Sequence, residues 1–249
     1  MDTIFIIALT VVVGWMLSKV PFVKKTIKKN HDIYLADRLE SFTKSNLINS
    51  PVIMEKTRQL FESMESVINE IGGPVLDLGC GTGASVIFYP SNTRLWTIDL
   101  NDYFHSFLKE NMKKSKGTLE RHEVGNVEDM SEVFDDNTFS CVVCMKLLCC
   151  TDNDLTLREI MRVLKPGGRL FFIEHIIEEP WTFVRLFQIL FTPIWKSLHF
   201  NCHLDRETDK VIQDFGCFEN LSIDIWQRPL PTKFFFARRS CIGYCDKPL

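Results

Sequence analysis

Three closely spaced glycines are the first residues in this 249-residue chain whose type and spacing suggest chemistry. The run Val75-Leu-Asp-Leu-Gly-Cys-Gly-Thr-Gly-Ala84 leads from an apolar segment into Gly79, Gly81 and Gly83. Glycine adopts positive φ and carries no side chain, so a ligand can approach the backbone closely. We therefore expect these glycines to line a cofactor, with Asp77 ordering the loop. The motif fits a nicotinamide dinucleotide as well as S-adenosylmethionine.

A second candidate residue is Asp99, which closes the apolar segment Leu95-Trp-Thr-Ile-Asp99. It lies 22 residues after Asp77. An acid at the end of the second strand of such a unit can accept both ribose hydroxyls of an adenosine. The alternative is an aspartate that caps the following helix. Both candidate cofactors contain the adenosine that Asp99 would hold.

The segment Glu128-Asp129-Met130 follows the third predicted strand. An acid at that edge can accept the adenine amino group, so we predict that Asp129 holds the adenine while Met130 covers its ring. A solvated acidic loop is the alternative, because loops are rich in such residues.

A fourth segment, Arg162-Val-Leu-Lys-Pro-Gly-Gly168, ends a helix and turns the chain into a strand. Proline and two glycines favour that break. Together with the glycine motif and the two acidic sites, it resembles the class I S-adenosylmethionine-dependent methyltransferases over about residues 70–245. The resemblance implies S-adenosylmethionine as cofactor. It also implies a seven-stranded sheet in the order 3-2-1-4-5-7-6, with strand seven antiparallel.

Three further segments are similar to the methyltransferase-like seven group, which are membrane-associated thiol S-methyltransferases. They are Cys141-Val-Val-Cys-Met-Lys-Leu-Leu-Cys149, Phe172-Ile-Glu-His175 and Cys202-His-Leu-Asp-Arg-Glu207. This similarity implies methylation of small lipophilic thiols at the cytosolic face of the endoplasmic reticulum or of lipid droplets. Asp205 departs from the group, which often has threonine there, and this bears on substrate preference.

The elements that must position these residues alternate along the chain. Short apolar runs predict strands at 75–78, 94–98, 119–124, 139–145 and 169–173, with two more at 218–226 and 234–244. Amphipathic segments predict helices at 103–112 and 152–164. This alternation predicts a doubly wound, mainly parallel α/β sheet, in a methyltransferase domain at 73–249 behind a helical lead-in at 31–72.

His175 follows Glu174 at the end of the fifth predicted strand, where open α/β sheets bind ligands. It is therefore a candidate general base, and a structural histidine is the alternative. Cys141 and Cys144 are spaced like half a zinc knuckle, but residues three apart on a strand face opposite sides. These two and the Cys149-Cys150 pair are interpreted as buried thiols, and no metal site is expected. The nine irregularly spaced cysteines indicate a reducing compartment.

An aromatic segment at 181–200, inside a predicted lid insertion at 178–203, reads WTFVRLFQILFTPIWKSLHF. Its apolar residues recur at helical spacing. They are consistent with core packing, or with a lid over an apolar substrate that lies at a membrane interface.

The uncharged run from Ile4 to Leu17, extended to residue 23, is long enough for a membrane anchor. Five lysines and one acid occupy residues 1–30, which we predict to be an anchor and basic neck. The lysines follow the apolar run, so the body is expected on the cytosolic side. A signal peptide and a buried core helix remain alternatives. The net charge of −3 and this distribution do not fit a nucleic-acid binder.

Other functions stay open on the sequence. A methyltransferase with a lipid or quinone acceptor fits the same cofactor motif. A nicotinamide-dependent oxidoreductase is less consistent, because Lys146 lacks the tyrosine of a Tyr-x-x-x-Lys pair. A non-catalytic lipid-droplet protein would need only the anchor and the aromatic segment. The sequence leaves the oligomeric state open.

Overall fold

A seven-stranded mixed sheet forms the centre of the computed structural model, which describes residues 21–44, 50–230 and 232–249. The strands are β1 (Val75–Leu78), β2 (Arg94–Asp99), β3 (Thr118–Val124), β4 (Phe139–Met145), β5 (Leu164–His175), β6 (Glu219–Gln227) and β7 (Arg239–Asp246). Their order is β3-β2-β1-β4-β5-β7-β6, and β7 runs antiparallel to both β5 and β6. The sheet therefore confirms the predicted strand order and the reversed seventh strand.

Helices cover both faces of this sheet. They are α1 (Pro21–Lys44), α2 (Pro51–Phe61), α3 (Met64–Ile71), α4 (Phe104–Met112), α5 (Asn153–Val163), α6 (Phe183–Leu198) and α7 (Thr208–Phe215), with 3-10 turns at Val86–Phe88 and Thr232–Ala237. Successive residues of a strand point to opposite faces. Val75 packs with α2 and α3, whereas Leu76 packs with α5 and α7. Cys141 and Cys144 likewise belong to opposite faces of the core, as predicted.

Strand β5 is longer than the predicted strand at 169–173. Its register against β4 jumps from the Phe139–Leu164 pair to the Cys141–Arg169 pair. Residues 165–168 therefore bulge out of the ladder, and Gly167 has a φ of 74° there. A Cβ on Gly168 would lie 2.8 Å from the Lys165 carbonyl oxygen, so the bulge needs glycine at that position.

The first described element is a helix that spans the predicted boundary between neck and lead-in. Helix α1 continues through residue 30, which was predicted to end the basic neck. Most of the predicted anchor at residues 4–23, namely 4–20, lies outside the described residues. Among the helices that the structure does describe, none is both long and apolar enough to cross a membrane.

Candidate active site

The glycine loop lies at the carboxyl ends of β1 and β2. Gly79, Gly81 and Gly83 have φ values of 60°, 51° and 83°, a region that side-chain-bearing residues rarely adopt. The Gly79 N–H donates to the Ile98 carbonyl at 2.9 Å. The Gly81 N–H donates to Oδ2 of Asp99 at 3.0 Å. These bonds hold the loop against the end of β2, so the glycines and Asp99 form one site as predicted from their spacing.

The Asp99 carboxylate is buried at the centre of this site. Its Oδ1 accepts the Asn101 N–H at 3.0 Å, while Oδ2 accepts the Gly81 N–H. Burial raises its pKa, and the backbone N–H bonds oppose that rise. A carboxylate has about four lone-pair sites, so two remain for further donors. The glycine loop and Asp99 therefore fit an adenosine-containing cofactor with two ribose hydroxyls.

Asp77 orders the segment that follows the loop. Its Oδ2 accepts the Ser85 hydroxyl at 2.6 Å and the Tyr89 hydroxyl at 2.8 Å. Desolvation raises the pKa of Asp77 to about 6, although both hydroxyl bonds lower it. The carboxylate thus fixes residues on the far side of the glycines and does not itself line the loop surface.

Helix α1 covers the glycine loop, which the sequence did not indicate. A Cβ built on Gly81 would lie 2.9 Å from Leu39 Cδ2. The Asn101 side chain donates to the Asp32 carbonyl at 2.9 Å. Asn111 donates to a carboxylate oxygen of Glu40 at 3.1 Å. The site is therefore built from the sheet edge and from the lead-in helix together.

The two residues predicted to contact the adenine, Asp129 and Met130, lie in different environments. Asp129 is exposed, and its Oδ1 accepts the N–H and the hydroxyl of Ser131. These two bonds lower its pKa. Met130 is fully buried in the core beside Phe134. Contact between Met130 and an adenine ring would require this loop to move, and both roles stay predictions.

His175 lies at the carboxyl end of β5, where its Nε2 contacts Cys202 Sγ at 2.9 Å. Its Nδ1 is buried and has no hydrogen-bond partner among the described residues. The Cys149 thiol lies 3.5 Å from Cys150 and 3.6 Å from Cys202. Bonds from these two thiols, and secondarily the His175 ring, hold the pKa of Cys202 well below its usual range. No local sequence pattern predicts that Cys202 lies in this cluster.

Glu174 joins β5 to the segment after β4. Its Oε1 accepts the N–H groups of Leu147 and Leu148, at 2.7 and 3.0 Å. Burial raises the pKa of Glu174 to about 7. Leu147 in turn would touch a Cβ on Gly79 at 2.6 Å. The Glu174 carboxylate therefore sets how the segment after β4 lies against the glycine loop.

A small apolar cavity of about 60 Å³ adjoins the same sheet edge. Its lining includes Ala84, next to the glycine loop, together with Ile173 and two basic side chains, the half-buried Lys146 and the buried Arg228. Burial lowers the pKa of Lys146 to about 7 and that of Arg228 to about 10. Lys146 also has a φ of 58°, which is unusual for a residue with a side chain. The cavity is a candidate acceptor pocket that the sequence did not reveal.

The aromatic segment forms α6, with two apolar faces. The inner face packs Phe187, Phe191 and Trp195 against Phe236, with ring centroids 5.1–6.0 Å apart. Buried Gln188 fastens this face, accepting the Glu178 N–H and donating to the Phe236 carbonyl. The outer face exposes apolar side chains, which are Phe183, Leu186, Leu190 and Ile194. Core packing therefore accounts for the inner face of α6 but not for the exposed apolar side chains of its outer face.

A glycine loop after β1, an acid at the end of β2 and a seven-stranded sheet of this order form a doubly wound α/β domain whose carboxyl edge fits an adenosine-containing cofactor. A family model described as a methyltransferase domain matches residues 76–172. Among solved structures, the N-methyltransferase NodS from Bradyrhizobium japonicum WM9, in complex with S-adenosyl-L-homocysteine, is similar with a TM-score of 0.58 at 15% identity. That similarity covers 86% of this chain and 99% of the other.

Two relatives found by sequence similarity have names that specify a reaction. Thiol S-methyltransferase TMT1A from Homo sapiens is 35% identical over 81% of this chain and 82% of its own. Thiol S-methyltransferase TMT1B from Rattus norvegicus is 37% identical over 70% of this chain and 71% of its own. The chain therefore belongs to the TMT1 family of S-adenosylmethionine-dependent methyltransferases. This membership decides between the two cofactors that the glycine motif left open.

Proposed function

We propose that this enzyme methylates small lipophilic thiols on sulfur at a cytosol-facing membrane. The observation that carries the proposal is the 35–37% identity, over 70–81% of the chain, to proteins named thiol S-methyltransferases. The apolar cavity beside the glycine loop supports a small and lipophilic acceptor. Endoplasmic reticulum and lipid droplets are the membranes that the sequence resemblance favours.

Bound S-adenosylmethionine supplies a methyl group already activated by its sulfonium charge. The protein therefore has to orient the acceptor and to exclude water. Gly79, Gly81 and Gly83 line the methionine part of the cofactor, Asp99 holds the ribose and Asp129 the adenine. An apolar pocket disfavours the thiolate form of the acceptor. We assign His175 as the group that takes the acceptor's proton, because its Nδ1 has no partner among the described residues.

The membrane contact involves two segments. The apolar run at 4–23 anchors the chain, and the outer face of α6 lies on the same membrane. Support for the second contact comes from exposure, because Phe183 is 78% exposed and Leu190 68% exposed. Helices with one apolar face and flanking Lys or Arg bind at bilayer interfaces. An acceptor dissolved in the membrane would then reach the enzyme from that side.

A methyl-transfer assay with labelled S-adenosylmethionine tests this function. The full-length protein is offered a matched panel of alkyl thiols, phenols, amines and quinols of similar size. We expect label in the thioether products and none above background in the others. Transfer to a quinol or phenol, without transfer to any thiol, would overturn the thiol assignment while leaving the methyltransferase class intact. Asp99→Ala is the low-activity control, because its affinity for the cofactor should fall sharply.

A further inference from the structure

Three cysteine sulfurs converge beside the end of β5. The Sγ atoms of Cys149, Cys150 and Cys202 all lie within 4.8 Å of one another. Two of these separations are 3.5 and 3.6 Å. A tetrahedral zinc ion with Zn–S bonds of about 2.3 Å holds its sulfur ligands about 3.8 Å apart. The three thiols are therefore already spaced as three corners of such a site, with small adjustments.

The backbone around the cysteines is held in place by the segment that carries Cys202. The Arg206 guanidinium donates to the carbonyls of Leu148 and Thr151, on either side of the cysteine pair. The His203 N–H donates to the Cys149 carbonyl at 2.8 Å. The Asn201 side chain donates to the Cys150 carbonyl at 3.1 Å. The carbonyls of residues 148–151 thus all accept hydrogen bonds from residues 201–206. These bonds fix the backbone that positions the sulfurs.

The cluster has one supporting imidazole and one open side. His175 contacts Cys202 through Nε2 at 2.9 Å, which is the role of an outer partner that orients a metal ligand. Cys149 is buried, whereas Cys150 and Cys202 are partly exposed. A metal ion bound by these three thiols would therefore have its fourth tetrahedral position open toward the exposed side of the cluster. Catalytic zinc sites keep such a position open for water or substrate.

We propose that Cys149, Cys150 and Cys202 bind one zinc ion and that the acceptor thiol takes its fourth coordination position. The second half of this proposal rests on the proposed thiol-methylating function. Thiolates are the soft ligands that select zinc over magnesium or calcium. The cluster also lies at the carboxyl edge of the sheet, the edge that carries the glycine loop and Asp99. The bound metal and the cofactor would therefore face the same acceptor.

The metal gives the acceptor a route to its reactive form. A thiol that coordinates zinc loses its proton, which passes to solvent. The thiolate sulfur then forms a bond to the methyl carbon, and the bond from that carbon to the sulfonium sulfur breaks. The products are a neutral methyl thioether and neutral S-adenosylhomocysteine, so charge and atoms balance without an added oxidant or reductant.

Metal binding is tested first and without reference to activity. The full-length protein is purified under reducing conditions, stripped with a chelator and titrated anaerobically with Zn²⁺. We expect about one zinc per chain by elemental analysis, and a Cys202→Ser variant should bind it at least about 100-fold more weakly. Cys217→Ser is the matched control, because Cys217 is exposed and outside the cluster. Absence of stoichiometric zinc in the folded wild-type protein, or equal binding by Cys202→Ser, overturns the site.

Coordination of the acceptor is tested by replacing zinc with Co²⁺, whose visible absorption reports its ligands. Adding an alkyl thiol should shift the cobalt bands, whereas the matched alcohol should leave them unchanged. Unchanged bands at saturating thiol overturn the fourth-ligand assignment. Because the spectrum needs no turnover, the two proposals fail separately. Thiol methylation by metal-free protein overturns the zinc role and leaves the proposed function standing, whereas a zinc-loaded protein that methylates no thiol overturns the function alone.

Discussion

The Nε2 atom of His175 lies 2.9 Å from the Sγ atom of Cys202, and this contact joins the end of β5 to the segment after α6. The imidazole is therefore engaged by a thiol of the protein itself. Its other nitrogen, Nδ1, is the one that lacks a partner among the described residues. Any proton transfer by His175 thus depends on a tautomer that the Cys202 contact selects.

Replacing His175 should lower the rate of methyl transfer and leave the affinity for the cofactor unchanged. We expect His175→Ala to lower kcat by roughly 10²–10⁴-fold on an alkyl thiol of high pKa, because general bases contribute that much. Cofactor affinity should stay nearly unchanged. The loss should shrink for acceptor thiols of low pKa, which are already ionised. Rates measured across a series of thiols check this, and a near-normal kcat on the most basic thiol would remove His175 from proton transfer.

Asp99 should be required for cofactor binding and dispensable for the fold. Removing a hydrogen bond to a charged group costs roughly 1.5–3 kcal/mol, which corresponds to about 10–150-fold in affinity. We expect Asp99→Ala to lose at least this much affinity for S-adenosylmethionine in a calorimetric titration. Asp102→Ala, an exposed acid three residues away, is the matched control. Wild-type affinity in Asp99→Ala would contradict the ribose assignment.

Asp77 predicts a particular dependence of stability on pH. Its pKa is raised from 3.8 to about 6, so the folded state binds this proton more tightly than the unfolded chain does. The stabilisation from protonated Asp77 is therefore present below pH 4 and lost as pH rises through 6. A shift of about two pKa units corresponds to about 3 kcal/mol in the free energy of unfolding.

The variant Asp77→Asn stays neutral and keeps an oxygen for Ser85 and Tyr89. It should match the wild type near pH 4 and exceed its Tm at pH 8 by about 6–12 °C. Thermal melts at several pH values measure this difference. Asp214→Asn, on an exposed part of the chain, should show no such growth with pH. A pH-independent difference for Asp77→Asn would show that ionisation of Asp77 is not its cause.

The outer face of α6 should bind lipid bilayers. We expect the double substitution Phe183→Ser and Leu190→Ser to reduce binding to vesicles of zwitterionic and anionic lipid, because each side chain contributes about 1.5–3 kcal/mol when buried. Sedimentation with vesicles, using protein that lacks residues 1–20, isolates this contact from the predicted anchor. Leu155→Ser, an exposed apolar residue on α5, is the control. Equal sedimentation of all three proteins would remove α6 from the membrane contact.

Local sequence patterns were sufficient for most of the strands and for the meeting of the glycine loop with Asp99, whereas the strand order was implied only by the family resemblance. Residues 234–237 of the last predicted strand instead belong to the 3-10 turn Thr232–Ala237. The strands at 75–78 and 139–145 begin and end where they were predicted, because each is a short run of mostly apolar residues that the sheet buries on both faces. The glycine loop and Asp99 meet because consecutive parallel strands place their carboxyl ends at one edge. Each of these relations depends on neighbouring residues or on one βαβ unit.

Only the tertiary structure brought Cys202 to Cys149 and Cys150, and only it placed α1 over the glycine loop. The position of Met130 is also a property of the tertiary structure. The local pattern predicted that Met130 covers the adenine ring, whereas the structure buries it in the core. No metal site was predicted, because the prediction used only the spacing of the cysteines between residues 141 and 150. Cys202 is 52 residues beyond Cys150, and contacts at such separations depend on the path of the whole chain, which no local pattern records.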